Sequence, residues 1–276
     1  LVQVLPLSKE FVNSKYNLNL MPKTAKHKIV IIGCGNVAWH LAKQLAGLKK
    51  YELFVYNHKT NTSLKDFKTK LKCKTTSNLK DIITDAEFYF VCVGDKFISA
   101  TAKKIPSKNP DAIVAHTSGS VKIDELGKHN NIAVFYPLQT FSKGDTVNWK
   151  EIPIVIEAKE KATLHKVTSL AMLLTSTIIY AKEKQRLTLH LAAVLANNFT
   201  NALYVTADEM LRNEWKTDGI KFLMPLIKQT VLKLEKLNPL AAQTGPAKRG
   251  DKQVMEKHLK LLSSKNDMKK IYKQLS

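Results

Sequence analysis

A short apolar run that breaks into a glycine turn constrains this chain more than any other feature. Ile29-Val30-Ile31-Ile32 is β-branched throughout, and Gly33-Cys34-Gly35-Asn36-Val37-Ala38 follows at once. Such a run reads as a buried parallel strand, which is apolar on both faces. Residues 36–49 then read as a helix. In the pattern G-x-G-x-x-A the first Gly permits a tight turn, and the second lets a ligand approach the backbone. The small Ala38 lets helix and strand pack closely. The helix N-terminus favours an anion. Strand, turn and helix in this order are the context in which the pattern marks a dinucleotide site. Gly33, Gly35, Asn36, Val37 and Ala38 are therefore candidate cofactor-binding residues.

The pattern repeats along the chain. "ELFVYN" (52–57), "FYFVCVG" (88–94), "DAIVAH" (111–116), "NIAVFYP" (131–137), "IPIVIE" (152–157) and "STIIYA" (176–181) read as strands. Helical patterns fall at 64–71, 96–104, 120–128 and 159–174. Alternation at this spacing predicts an α/β fold with a doubly wound, Rossmann-type parallel sheet. After Ala181 nothing strand-like recurs, and helices are predicted over about 185–213, 219–236, 252–263 and 267–275. The expected organisation is an extension over 1–26 with little order, a dinucleotide-binding domain over 27–181, and an all-α substrate and dimerisation domain over 182–276. Met21 stands just before the first strand and is read as the natural start, or residues 1–20 as an extension. The first twenty residues lack the basic and apolar stretches of a signal peptide, so a cytoplasmic location is expected.

Net charge is +21, from 44 basic and 23 acidic residues, which invites a nucleic-acid hypothesis. Yet Arg186, Arg212 and Arg249 are the only arginines, and the lysines are scattered over nearly every segment. Base-reading proteins concentrate charge and use Arg for bidentate contacts, so no specific nucleic-acid partner is expected. Cys34, Cys73 and Cys92 are unclustered, which fits a reducing compartment and argues against a cysteine metal site. No metal is expected.

The second strand ends in Asn57-His58-Lys59, where dinucleotide-binding chains usually carry Asp or Glu. A carboxylate there would repel a 2′-phosphate. Asn57 removes that repulsion, while Lys59 and a protonated His58 can pair with the phosphate. NADP (NADPH) is therefore expected over NAD. Val93 and Gly94 close the third strand where the chain passes beside the cofactor. Sheet ligands collect at the carboxyl ends of strands, so His116-Thr117-Ser118-Gly119-Ser120 and "FYPLQTFS" (135–142) should rim the same cleft. Ser118 and Gln139 are candidate substrate contacts there. In "TGPAKRGD" (244–251), Arg249 offers the guanidinium that a carboxylate or phosphate would ask for; a plain interhelix turn is the alternative.

Residues 187–207 contain no Asp, Glu, Lys or Arg, in a chain that is 24% charged. A helix without charge is normally buried on most sides. Its three Asn, three Thr and one His make it a poor membrane span, so no membrane partner is expected. His190, Asn197, Asn201, Tyr204 and Asp208 fall on one stripe. Unsatisfied buried polar groups cost roughly 1–3 kcal/mol each, so the stripe is either sealed by neighbouring helices or lines a wet cleft.

"GCGNVAWHLA", "HTSGS", "YPLQTFS", "LANNFTNALY" and "TGPAKRGD", in this order, resemble the Rossmann-like proteins that carry C-terminal domain of unknown function 2520. That family is similar to β-hydroxyacid and 6-phosphogluconate dehydrogenases, pyrroline-5-carboxylate reductases and deazaflavin-dependent NADP oxidoreductases. The resemblance implies a Rossmann domain, a helical domain that often dimerises, and a cleft between them. Related dehydrogenases usually place a catalytic Lys on the long helix, followed by Asn one turn later. Here no lysine occurs on it, and His190 stands as the replacement acid–base candidate, with Asn197. Close relatives are expected to carry His at Tyr136, which is read as a tuning position.

Two readings stand. One is an NADP-dependent oxidoreductase for a small anionic substrate: His190 shuttles a proton, Asn197 orients substrate or nicotinamide, and Ser118, Gln139, Asn201 and Arg249 bind substrate. The other is a non-catalytic NADP-binding sensor or scaffold, with a Lys-rich nonspecific nucleic-acid binder ranked below both. A homodimer through the helical domain is expected.

Overall fold

The computed structural model describes residues 3–6 and 26–276. Among these, nine strands form one sheet: β1 (Gln3–Pro6), β2 (His27–Ile32), β3 (Tyr51–Tyr56), β4 (Lys74–Thr76), β5 (Phe88–Val91), β6 (Ile113–His116), β7 (Asn131–Pro137), β8 (Ile154–Ala158) and β9 (Thr177–Tyr180). Their order across the sheet is β1-β9-β8-β7-β6-β5-β2-β3-β4. From β4 to β7 every neighbour is parallel. This is the doubly wound, Rossmann-like part of an α/β fold.

Both sheet faces are covered, which is why the strands read as unbroken apolar runs. Ile29, Ile31, Phe90, Phe135 and Ile156 point into one layer. That layer is closed by α1 (Asn36–Gly47), α2 (Thr62–Leu71) and α4 (Lys161–Leu174). Val30, Ile32, Val91, Val114 and Val134 point into the other, closed by α3 (Ile98–Ala102) and a 3-10 turn at Ile123–Leu126. That turn replaces the longer helix expected over 120–128.

The "IPIVIE" strand, β8, runs antiparallel to β7. A parallel return needs a crossover, usually a helix, and the connection from β7 to β8 holds only a 3-10 turn at Trp149–Glu151. Of the extension expected over 1–26, Gln3–Pro6 forms an antiparallel edge strand on β9; residues 7–25, Met21 among them, lie outside the described residues.

The chain divides into two compact units, 1–197 and 198–276, whereas the change from strands to helices falls near 182. Helix α5 (Glu183–Ala193) belongs to the first unit because its Arg186 is buried there. A π-helical turn follows at Val194–Phe199. The second unit contains α6 (Thr200–Trp215) and α7 (Gly219–Leu234), then shorter helices including Pro246–Arg249, Lys252–Leu261 and Asn266–Leu275. Asp208 accepts hydrogen bonds from Ile220 N–H (2.7 Å) and from Arg212 (2.6 Å). It caps the α6–α7 hairpin and so leaves the polar stripe expected on the long helix. Gly219 sits at that junction, where a Cβ would come 2.4 Å from Leu211 Cβ.

Candidate active site

The topological switch lies between β2 and its neighbours β3 and β5, and the glycine turn sits at the carboxyl end of β2. Gly33 has φ +110°, and a Cβ there would stand 2.3 Å from the Cys92 carbonyl oxygen on the adjoining strand end. Only glycine fits, for reasons internal to the fold. Gly35 is different. A Cβ built on it meets nothing within 4 Å, so the protein itself places no demand for glycine there. The open space adjoins the start of α1, whose N-cap is Gly35 with no side-chain capping bond. The first N–H groups of a helix have no partner within it, and open space beside such a helix start is what a pyrophosphate would use. Ala38 is fully buried, packing α1 onto the sheet.

The cleft that opens from this turn has a volume of ≈ 680 Å³. Gly33 and Gly35 line it, with Asn57 and His58 from the end of β3 and Val93 and Gly94 from the end of β5. Asn57 is buried; its Nδ2 donates to the Lys59 carbonyl at 2.7 Å, which closes the 57–59 turn. One amide hydrogen is thereby committed, and the side-chain oxygen remains as an acceptor. Lys59 is exposed and does not line the cleft.

A second constellation lies over the carboxyl ends of β6 and β7. Ser118 Oγ accepts from Ser120 N–H (3.1 Å) and Val121 N–H (3.2 Å). It lies 3.3 Å from Ser120 Oγ, which donates in turn to Asp95 at 2.5 Å. With its hydrogen directed to Ser120, Ser118 is fully engaged in shaping the loop. Gly119 is wedged against two rings: a Cβ would meet His190 Nδ1 and the Tyr136 ring at 2.8 Å each. The Tyr136 hydroxyl lies 3.2 Å from His190 Nδ1. Burial, then the negative Asp95, push the Tyr136 phenol pKa upward, so it stays protonated. The hydroxyl can donate to Nδ1 or accept from Nδ1–H according to the tautomer; with the proton on Nδ1, Nε2 is left as a free acceptor.

Arg186, one helical turn before His190, holds this assembly from behind. It is fully buried and pairs with Glu157 Oε2 through Nε (3.2 Å) and Nη2 (2.9 Å). Its Nη1 donates to the carbonyls of Gly119 (3.0 Å) and Ser118 (3.4 Å). His116 is buried beside it. Burial first, and then the Arg186 charge, lower its pKa to about 4, so it is neutral at pH 7.

The remaining sequence candidates are spread out. Gln139 is exposed, with Oε1 accepting from Thr140 N–H. Asn197 is exposed in the π-turn at the end of the first unit. Asn201 and Arg249 are exposed in the second unit. Sequence reasoning missed Arg186, Gly119 and Asp95. The one hint for Arg186 is Glu157, an acid at the end of an apolar strand. Among the described residues no cluster of three or more His, Cys, Asp or Glu could hold a metal ion. Nor is any helix there long and apolar enough to cross a membrane.

Residues 28–118 match the family model "NADP oxidoreductase coenzyme F420-dependent", and residues 152–276 match domain of unknown function 2520. A Bacteroides fragilis protein provisionally assigned as an NADP oxidoreductase is 35% identical over 91% of this chain and 96% of its own, with a TM-score of 0.83. The chain belongs to this family. A Thermotoga maritima protein shares the fold at 21% identity (TM-score 0.75; 90% of this chain, 97% of that one). So does a pyrroline-5-carboxylate reductase of Coxiella burnetii, at 19% identity (TM-score 0.56; 90% and 98%). No curated protein matches the chain. Family and neighbours support an NAD(P)-dependent oxidoreductase. That class fits the glycine turn, where the space beside Gly35 and the uncapped helix start suit a nicotinamide dinucleotide.

Proposed function

We propose that this family member is an NADP-dependent oxidoreductase acting on a small anionic substrate, with the proton handled by His190. The observation that carries the reading is the open space at Gly35 beside an uncapped helix, at the switch point of the sheet. Gly33, Gly35 and the first N–H groups of α1 hold the pyrophosphate. Asn57 and His58 hold the adenosine ribose and its 2′-phosphate, and Val93 and Gly94 pass along the cofactor. The bound dinucleotide supplies the hydride chemistry.

The protein's own share is the proton. With Nδ1–H directed to the Tyr136 oxygen, neutral His190 accepts a substrate proton at Nε2, and the imidazolium so formed returns it to a substrate oxygen or nitrogen in the reverse direction. Gly119, held through its carbonyl by Arg186, provides the wall against which both rings stand. Gln139 offers a free amide nitrogen to an anionic substrate. Asn197 is a further polar contact in the first unit, whereas Asn201 and Arg249 belong to the second. The oxidoreductase relatives favour this reading over a non-catalytic sensor.

The second unit carries a further proposal, a homodimer. Leu262 is its single buried apolar side chain among the described residues. Phe222, Leu226, Val231 and Leu240 are all more than half exposed, and a second copy of the chain is the occupant that would cover them.

A thermal-shift titration with NADPH and NADH side by side tests the function. NADPH at one hundred times its Kd should raise stability by about 2.7 kcal/mol. His190→Ala should keep that shift and lose turnover. No shift with either dinucleotide would overturn the reading.

A further inference from the structure

The dinucleotide cleft carries a cation that the sequence does not advertise. None of the side chains lining it is acidic, and one of them is a lysine: Lys104, two residues beyond the end of α3. Its backbone N–H donates to the Thr101 carbonyl at 3.0 Å, which fixes where the side chain leaves the chain. Among the described residues no carboxylate forms an ion pair with it, in contrast to Lys28, Lys74 and Lys143, each held by an acid. Lys96, nearby on the same connection, lies over the Phe97 ring. The Lys104 ammonium is therefore uncommitted on the wall of a carboxylate-free cleft. His58 and Ser63 line that same cleft, and Ser63 sits in the first turn of α2, where Asn61 caps the Leu64 N–H.

We infer that Lys104, rather than Lys59, is the cation that discriminates a 2′-phosphorylated dinucleotide from one with a free 2′-hydroxyl. This rests on the proposed dinucleotide site and assigns its specificity. Both lysines are exposed, but Lys59 lies off the cleft that Lys104 lines, and its carbonyl is tied down by Asn57. Lys104 and His58 together set a positive charge against a dianionic group, where a carboxylate would have excluded it. The ammonium is a point charge on a flexible stem, so its contribution should respond steeply to ionic strength.

The test is a pair of dissociation constants, for NADP+ and NAD+, measured by calorimetry on the full chain and on Lys104→Ala and Lys59→Ala. Losing one charge-assisted contact of 1.5 kcal/mol or more weakens binding about tenfold. Lys104→Ala should weaken NADP+ by that factor and leave NAD+ within about twofold, whereas Lys59→Ala should move neither by more. Salt should narrow the gap between wild type and Lys104→Ala. Equal loss for both dinucleotides would overturn the assignment, because the ammonium would then serve a part they share. Loss confined to Lys59→Ala, or wild type that binds NADP+ no tighter than NAD+, would overturn it too. If wild type binds neither dinucleotide, the oxidoreductase reading falls and this inference with it. An unchanged melting temperature of the ligand-free variants confirms that folding is not the cause.

Discussion

The two compact units solve the burial problem in opposite ways. In the first, Ile29, Ile31, Leu41, Leu45, Phe67, Phe90 and Phe135 are completely buried, and the sheet is covered on both faces. In the second, Leu262 is the one buried apolar side chain among the described residues, while Leu226 is 67% and Leu240 72% exposed. A unit of 79 residues, 198–276, with a single buried apolar side chain does not offset the entropy of ordering its chain. The first unit's stability is intramolecular; the second unit's must come from whatever covers it.

The sharpest way to break this comparison is to perturb one residue from each region. Phe90→Ala should cost about 3–5 kcal/mol, as large core truncations do, and the loss should not depend on protein concentration. Leu226→Asp should cost little if solvent covers that face, since surface changes usually stay within about 0.5 kcal/mol. If a second copy covers it, light scattering should show dissociation, and the melting temperature should become concentration-dependent. A monomeric wild type at micromolar concentration, with Leu226→Asp silent, would sink the dimer.

Arg186 joins the first unit's hydrophobic manner of folding to a polar one. Removing one partner of a buried pair typically costs about 3–5 kcal/mol, because an uncompensated charge stays behind. Arg186→Met should therefore destabilise strongly, by leaving Glu157 and the Ser118 and Gly119 carbonyls without a donor. Adding Glu157→Gln should recover part of the loss. Failure of the double variant to recover any stability in chemical denaturation would mean that the carbonyl contacts, not the ion pair, carry the effect.

Legibility follows the same division. The β2–α1 turn was readable because steric demands on glycine and strand burial are local, and six more strands announced themselves by continuous apolar runs. The antiparallel sense of β8 was not, since direction depends on what connects two strands and not on their composition. For the uncharged stretch 187–207, composition predicted burial, yet Leu187, Leu191 and Leu195 are about half exposed within this chain. Composition reports that a face avoids water; it does not report whose surface excludes the water. The Gly119–Tyr136–His190 contact was hidden for a related reason: it joins three separate segments through side-chain packing. His190 was nominated by its chemistry, while Lys104 is indistinguishable from its neighbour Lys103 until the chain is folded.

His116 gives a smaller, pH-dependent effect within the first unit. Its folded pKa of about 4 lies below the ordinary 6.5, so the unfolded chain takes up the proton first. Stability from this group is complete above about pH 6.5 and lost as pH falls toward 4. The loss amounts to at most about 3 kcal/mol. The difference in unfolding free energy between wild type and His116→Gln should follow that window. Since Arg186 contributes to the shift, the window should narrow in Arg186→Met. A difference independent of pH would show that His116 is no more protected from protonation than an exposed histidine.

The two glycines of the turn differ, and Gly35 carries the smallest effect on stability. Gly33→Ala places a Cβ at φ +110° and 2.3 Å from the Cys92 carbonyl, so the β2 and β5 strand ends must separate. A strained backbone position of this kind costs of order 1–3 kcal/mol before any clash is counted. Gly35→Ala meets nothing and has an ordinary extended φ of −77°. Its unfolding free energy should stay within about 0.5 kcal/mol of wild type, or rise slightly through the unfolded chain. Any cost should appear only with ligand, as a reduced NADPH-induced shift, because the methyl would occupy space left for the pyrophosphate. A Gly35→Ala variant that keeps both its stability and its full NADPH response would mean that the ligand does not approach the backbone here. The reason for glycine at position 35 would then have to lie outside the cleft.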